Sequence, residues 1–222
     1  MNKILRYLVA LGENNSNEWF ERNRSLFTAS QGLFACEAKR VMNMMAEADP
    51  RFADIKVRSC IQRMLRCARF SRTQENPYRT SFAAVFSPYG TVKEGHAAYC
   101  LHLEPGNNSY VSGGVLTVSA TMNRRVRQYI TRHSERYKAI IEDEAFKQAF
   151  PTVGDDELQR MSTAFDRDAE SFSYLLPHTF VVRQRIIDRD FSKKDWQATV
   201  ARQLLLMKPF VDFIEEANAK MA

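Results

Sequence analysis

The sequence predicts an α+β fold, a mostly antiparallel sheet covered by N- and C-terminal helices. Apolar residues recur at helical spacing before residue 50 and again after residue 119. Between residues 58 and 117, and again near 178–187, short runs of β-forming residues alternate with turn residues, which is typical of antiparallel strands. No helix of crossover length separates the runs between residues 58 and 117, and this argues against a doubly wound parallel sheet.

The composition is that of an ordinary globular protein, and we expect a single domain over residues 1–222. Hydrophobic residues make up 45% and charged residues 26%, which excludes a chain that is disordered over most of its length. No run approaches the roughly eighteen apolar residues that a transmembrane helix needs. Arg6 interrupts the apolar N-terminal run, and the four cysteines form no C-x-x-C pair. These features predict a cytoplasmic protein with free thiols.

The first helices are predicted from their apolar stripes. The opening helix carries Ile4, Leu5, Leu8 and Leu11 on one face, with Gly12 as its stop. Residues 15–18 resemble a capping box, which makes Asn15 the predicted N-cap of the second helix. The stripe of that helix consists of Phe20, Phe27, Phe34, Ala38, Val41 and Met45. Pro50 ends it.

Strands are predicted over residues 60–66, 81–86, 97–103 and 110–116, and further ones over 158–161 and 178–187. Helical spacing returns after residue 119 in a stripe of Met122, Val126, Tyr129 and Ile130, with the neighbouring arginines facing outward. A second short helix is expected over 134–149. A long terminal helix begins near Trp196, with a kink expected at Pro209.

The protein is basic, with 32 Lys and Arg against 26 Asp and Glu and a net charge of +6. The excess is concentrated in residues 51–80 and 122–138. Such stretches form either solvated surfaces or surfaces that bind anions. We expect an anionic small molecule or peptide as the partner. Nucleic acid is a less favoured partner, and no membrane partner is expected.

An arginine-rich segment is the first candidate site. Arg63, Arg66 and Arg69 lie among apolar residues, where an unpaired buried charge would be costly. They therefore form internal salt bridges or hold a carboxylate or phosphate ligand through guanidinium groups. We expect at least two of them to be buried. Arg66 or Arg69 should lie within reach of Glu104 or His102, in a pocket beside Tyr78, which is the fourth predicted ligand-binding residue.

A histidine and a carboxylate form the second candidate site. Strand alternation places Cys100, His102 and Glu104 on one face, where His102 and Glu104 could act as a general acid and base. A purely structural histidine is the alternative. The H-x-E sequence is also found in zinc deaminases, but no P-C-x-x-C follows it in this chain. With only four histidines present, neither a metal site nor a cofactor is predicted.

Four segments resemble the motifs of one family. Residues 14–20 (NNSNEWF) resemble an NN-x-x-x-WF opening, and residues 63–71 (RMLRCARFS) resemble FR-x-x-RD-x-RFS. Residues 77–80 (PYRT) resemble PYKT, and residues 98–106 with the glycines at 113–114 resemble YYLHLEPGG…GGG. In this order and spacing, the chain resembles the bacterial Domain of Unknown Function 2461 family over nearly its whole length. The resemblance implies a single α+β domain and no established activity.

Two departures from the family pattern bear on function. Cys67 stands where the family has an acidic residue, and Asp168-Ala169 stands where it has His-Pro. Both changes remove reactive groups, and this favours a non-catalytic protein that binds an anionic ligand through its arginine-rich sheet. The alternative is an enzyme in which His102 and Glu104 act as acid and base while Arg66 or Arg69 orients an anionic substrate.

Overall fold

A four-stranded antiparallel sheet and a set of helices make up the fold, and the predicted α+β class is confirmed. The computed structural model describes residues 2–66, 76–90, 95–116, 120–154, 156, 165 and 170–220. The strands are β1 (Phe82–Phe86), β2 (Ala98–Leu103), β3 (Ser109–Gly114) and β4 (Val181–Ile186). Hydrogen-bonded neighbours follow chain order, β1-β2-β3-β4.

Helices precede and follow the strands, as the two regions of helical spacing predict. The α-helices of the N-terminal region are α1 (Lys3–Glu13), α2 (Asn17–Arg22), α3 (Arg24–Ala48) and α4 (Val57–Cys60). Between β3 and β4 lie α5 (Ala120–Arg132), α6 (Ser134–Ile141) and α7 (Glu144–Ala149), and α8 (Trp196–Leu206) and α9 (Lys208–Lys220) follow β4. Short 3-10 helices cover Pro50–Phe52, Glu170–Leu175 and Asp188–Ser192.

The chain divides into two compact units. The first contains Met1–Phe86, Cys100–Val111 and Arg185–Arg202. In it, α3 packs on α1, α4 and β1. Its core joins the apolar face of α1 to the aromatic residues of α3 and β1, and the rings of Phe34 and Phe82 stack with centroids 5.5 Å apart. The predicted stripes of the first helices therefore form this core.

The second unit contains Ser87–Tyr99, Ser112–Gln184 and Gln203–Ala222. Helix α9 packs against α5 and α6. Tyr137 of α6 is fully buried against Phe210 and Phe213 of α9, with ring centroids 6.3 and 5.3 Å apart. All four residues of the predicted α5 stripe are buried. The prediction of a single domain over residues 1–222 stays a prediction.

Several element boundaries differ from those predicted. Residues 60–66 form no strand of the sheet; they leave α4 as an extended segment with two isolated antiparallel bridges, Ile61 to Ala84 and Leu65 to Tyr78. Residues 134–149 form α6 and α7 rather than one helix, because Asp143 caps a new helix by accepting from the amide of Phe146. The terminal helix is interrupted at Met207, so that Pro209 lies in the first turn of α9, where its missing N–H costs no hydrogen bond.

Two predictions about single side chains are wrong, and one predicted strand falls outside the described residues. The N-cap of α2 is Ser16, whose hydroxyl accepts from the amide of Trp19 at 3.2 Å, because the Asn15 side chain is engaged elsewhere. Arg127 does not face outward with its neighbours but is buried. The strand predicted over 158–161 cannot be compared. No helix among the described residues is long and apolar enough to cross a membrane.

Tyr7 provides a test of the core of the first unit. Its ring lies among Trp19, Phe27 and Phe82, with centroids 6.1–6.3 Å away. Its hydroxyl is buried and has no hydrogen-bond partner among the described residues. Burial raises the pKa of Tyr7 to about 12, and the neighbouring Tyr78 adds to the rise.

We expect Tyr7→Phe to raise the free energy of unfolding by about 1 kcal/mol at neutral pH, because it removes an unpaired buried hydroxyl. An unfolded tyrosine loses its proton near pH 10. The folded protein retains this proton up to about pH 12, so stability should fall as pH rises from about 10 to about 12. Urea titrations at pH 8 and pH 10.5 measure this fall in unfolding free energy, which should be smaller for Tyr7→Phe than for the wild type. Tyr174→Phe, whose hydroxyl donates to Glu142 at the surface, is the control. An equal fall in wild type and Tyr7→Phe would contradict the argument.

Candidate functional site

The first candidate site is a short antiparallel ladder between residues 64–66 and 77–79. The amide of Arg66 donates to the carbonyl of Pro77 at 2.9 Å, and the amide of Arg79 donates to the carbonyl of Met64 at 2.8 Å. Leu65 and Tyr78 lie opposite each other between these bonds. Pro77 has no N–H, so it can accept from Arg66 but cannot donate in return. We call these six residues the arginine ladder.

Asn15 holds the outer edge of the arginine ladder. Its carboxamide donates from Nδ2 to the carbonyl of Tyr78 at 2.9 Å, and its Oδ1 accepts from the amide of Tyr78 at 3.0 Å. The side chain thus acts as a third strand at that one residue. The Tyr78 ring stacks on Phe20, with centroids 3.9 Å apart and planes at 8°. The described parts of three segments that resemble family motifs, 14–20, 63–66 and 77–80, therefore meet at the ladder.

The arginines of this segment are not buried as predicted. Arg63 and Arg66 are both exposed, so at most one of the three predicted arginines can be buried. The reason is that residues 61–66 are not enclosed in the sheet: only Met64 is buried, and Leu65 is 60% exposed. Arg69 and Cys67 lie outside the described residues. Tyr78 is buried under Phe20, and burial, then the negative charge of Glu21, raises its pKa.

Arg79 is a further residue of the ladder that the sequence analysis did not single out. In an antiparallel ladder, residues on either side of an opposed pair share one face. Because Leu65 opposes Tyr78, we expect Arg66 and Arg79 to lie on the same side. Diagonal neighbours of this kind are about 7 Å apart. Arg79 is exposed, and neither arginine forms an ion pair with an acid among the described residues. A prediction that the PYRT segment pairs with residues 64–66 would have placed Arg79 in this site.

The second candidate site lies at the β2–β3 hairpin. His102 donates from Nε2 to Oε2 of Glu104 at 2.9 Å, as the predicted acid–base pair requires. The His102 side chain is 14% exposed and the Glu104 side chain 36%, so solvent reaches the carboxylate more readily than the imidazole. The His102 ring stacks on Tyr110, with centroids 4.4 Å apart. This stacking fixes the plane of the imidazole and therefore the direction of its hydrogen bond.

The turn after Glu104 is held by polar contacts from two sides. The buried Ser109 hydroxyl accepts from the amide of Glu104 at 2.9 Å and donates to its carbonyl at 3.0 Å. The Asp188 carboxylate accepts from the amides of Gly106 and Asn107 at 3.0 Å each. Residues 104–106 (EPG) therefore form a hairpin turn that is held by hydrogen bonds, and this turn positions Glu104 beside His102.

The structure does not join the two candidate sites as the sequence analysis expected. Among the described residues, no ion pair links Arg66 to Glu104, and the described side-chain partner of Glu104 is His102. The assignment of Arg63, Arg66, Arg69 and Tyr78 to ligand binding stays a prediction. Over the same part of the chain, no group of three or more His, Cys, Asp or Glu residues is arranged to hold a metal ion.

Replacing Asn15 should loosen the arginine ladder. We expect Asn15→Ala to cost about 2 kcal/mol of unfolding free energy, because it leaves a partly buried N–H and C=O of Tyr78 unpaired. Amide hydrogen exchange at Arg66 and Arg79 should also become faster. Asn17→Ala is the control, since Asn17 is exposed and should change stability by less than about 0.5 kcal/mol. Unchanged exchange at both arginine amides would show that Asn15 does not hold the ladder.

Comparisons with known proteins agree with the motifs at these sites. No curated protein and no solved structure shows significant similarity to the chain. The model of one family, described as "Conserved hypothetical protein (DUF2461)", matches residues 3–213. This match covers most of the 222 residues and includes α1 and both candidate sites. The chain therefore belongs to the DUF2461 family of conserved hypothetical proteins.

Proposed function

We propose that this protein binds an anionic small molecule or peptide without catalysing a reaction, and that the ligand is held by the arginine ladder. The observation that supports this is the exposure of Arg66 and Arg79, which flank the Leu65–Tyr78 pair of a ladder whose backbone is fixed by Asn15. Neither guanidinium is paired with an acid among the described residues. Both can therefore donate hydrogen bonds to a ligand.

The chemistry of the ladder favours a ligand with at least two acceptor oxygens. A guanidinium group presents donors in a planar fork that matches carboxylate and phosphate geometry. Two such groups on diagonal neighbours, whose Cα atoms are typically about 7 Å apart, suit a dicarboxylate, a diphosphate or an acidic peptide segment better than a single small anion. The fixed backbone lowers the entropy that binding must overcome. Arg63 is exposed in the same segment and adds positive potential.

Nucleic acid is a less favoured ligand because the second basic stretch is largely engaged within the protein. Arg127 is buried, Arg136 pairs with Glu216 at 2.7 Å, and Arg125 donates to Asn218 at 3.2 Å. Binding to a phosphate backbone needs many free cations along one surface. The described contacts leave few of these on α5 and α6.

Calorimetric titration with pyrophosphate and with citrate tests the proposal. Arg66→Gln and Arg79→Gln should each weaken binding about tenfold, because a charge-assisted hydrogen bond contributes about 1.5 kcal/mol. Binding should also weaken as salt is raised. Arg124→Gln is the control, since it removes the same charge from an exposed position on α5. An equal loss in Arg124→Gln would mean general charge attraction, and a failure of both anions to bind would refute the proposal.

An acid–base enzyme is the second candidate function, and the His102–Glu104 hydrogen bond of 2.9 Å favours it. A carboxylate that holds an imidazole in one orientation is a common arrangement for proton transfer. If the protein is such an enzyme, the wild-type protein would convert the bound anion into a product, and NMR spectra of the ligand would show this conversion. His102→Gln and Glu104→Gln would abolish the conversion and leave binding intact. Recovery of unchanged ligand from the wild-type protein would favour the binding function.

A further inference from the structure

An open cavity in the first unit is formed by different residues from those of the two candidate sites. Its volume is about 370 Å³, which lies within the range of small-molecule pockets. The N-terminal part of α1, the middle of α3 and the end of the 3-10 helix Asp188–Ser192 form its walls. The residues on which its chemistry depends are Lys3, Arg6, Leu33, Glu37, Phe191 and Ser192.

The charge of this cavity is positive. Lys3 and Arg6 are both exposed, and neither forms an ion pair with an acid among the described residues. Glu37 is the acid in the wall, and both of its oxygens are already engaged. Oε1 accepts from Arg40 at 3.2 Å, and Oε2 accepts from Gln197 at 2.5 Å. Lys3 and Arg6 therefore face a cavity in which the acid is already neutralised.

The cavity also offers apolar surface. Leu33 is 41% exposed and is one of two exposed leucines on α3, with Leu26. Phe191 also lines the cavity, but it is 3% exposed and packs on Trp196 with ring centroids 5.1 Å apart. The side chain of Asn2 spans these walls by donating to the carbonyl of Phe191 at 3.5 Å. Burying Leu33 would favour a ligand that carries an apolar group.

We infer that this cavity binds a compact anion, a carboxylate or phosphate monoester, that carries an aromatic or branched aliphatic group. Lys3 and Arg6 bind the anionic group, and the exposed Leu33 contacts the apolar group. Ser192 is placed in the wall to add a neutral hydrogen bond. The inference does not depend on the arginine ladder, because the two sets of residues share no member.

Titration of the full-length ¹⁵N-labelled protein with benzoate and with phenyl phosphate tests the inference by NMR. Either probe should cause saturable shifts in the amide signals of Lys3, Arg6, Leu33 and Ser192. Tighter binding of benzoate would identify a carboxylate as the anionic group of the ligand, and tighter binding of phenyl phosphate would identify a phosphate. Acetate, which lacks the apolar group, and benzyl alcohol, which lacks the charge, should each bind at least tenfold more weakly than benzoate.

Variants locate the binding and separate it from the ladder. Arg6→Gln should weaken benzoate binding about tenfold, and Leu33→Asn should weaken it severalfold. Arg124→Gln, and the pair Arg66→Gln with Arg79→Gln, should leave it unchanged. Benzyl alcohol that binds as well as benzoate, shifts confined to residues outside this cavity, or no saturable shift with either probe would overturn the inference.

Discussion

Replacing Gly114 by alanine is expected to destabilise the protein by about 4 kcal/mol or more, the largest effect of any single change considered. Gly114 has a φ of +127°, which side chains with a Cβ rarely adopt. A Cβ at this position would overlap the carbonyl oxygen of Phe180 and lie 3.1 Å from Val181 Cα. These are backbone atoms, so no change of rotamer relieves the overlap. The same carbonyl accepts from the amide of Val115 at 2.9 Å, which holds the two segments together.

Thermal melting measures this effect, and we expect Gly114→Ala to lower the Tm by about 10 °C or more. Gly32→Ala is the matched control, since Gly32 lies on an exposed face of α3 with no atom within 4 Å of an added Cβ. That change should raise the unfolding free energy by about 0.5–1 kcal/mol, because alanine favours the helix. A Gly114→Ala protein as stable as wild type would show that the close approach to Phe180 is not required.

Replacing Arg127 by alanine is expected to cost about 3 kcal/mol, the second largest effect. This guanidinium is 7% exposed and donates to the carbonyls of Leu175 and Pro177 at 2.9 and 2.6 Å. It lies 5.2 Å from the centre of the Phe180 ring. Burial lowers the pKa of Arg127, and no acid among the described residues neutralises it. Its removal leaves two carbonyls without a donor, one buried at Leu175 and one part-buried at Pro177.

Denaturant titration distinguishes the role of this arginine from a general effect of charge. Arg127→Lys should recover only part of the stability, since one ammonium group cannot reproduce the planar fork that reaches both carbonyls. Arg124→Ala on the exposed face of the same helix should change stability by less than about 0.5 kcal/mol. If Arg127→Ala and Arg124→Ala had equal effects, the two carbonyl contacts would have no energetic importance.

The helix stripes and most strands could be predicted from the sequence because they are local patterns. The stripe on α5 is buried at all four predicted positions, and β1, β2 and β3 lie within one or two residues of their predicted limits. Residues 60–66 were assigned wrongly because alternation in an extended segment does not show whether the segment lies inside a sheet. In this case the segment is joined to β1 by one isolated bridge, Ile61 to Ala84, and to Tyr78 by another.

The candidate sites were predicted in part. The His102–Glu104 pair could be found because a spacing of two along an extended strand brings side chains to one face. The close neighbours of the glycines at 113 and 114 are protein atoms, Val211 for Gly113 and Phe180 for Gly114. The cavity near Lys3 and Arg6 carries no local signal, because its walls come from three separate segments.

By itself, the sequence determined the α+β class, the family and the apolar faces of the helices, since each depends on residue type and short-range spacing. Only the tertiary structure decided which polar side chains are buried and what they bind. Asn15 was predicted to cap a helix, but its side chain binds the backbone of Tyr78, 63 residues away in the sequence. Arg127 was predicted to be exposed to solvent, but it donates to the carbonyl of Leu175, 48 residues away. Burial depends on which distant segment packs over a residue, and periodicity along the chain does not contain that information.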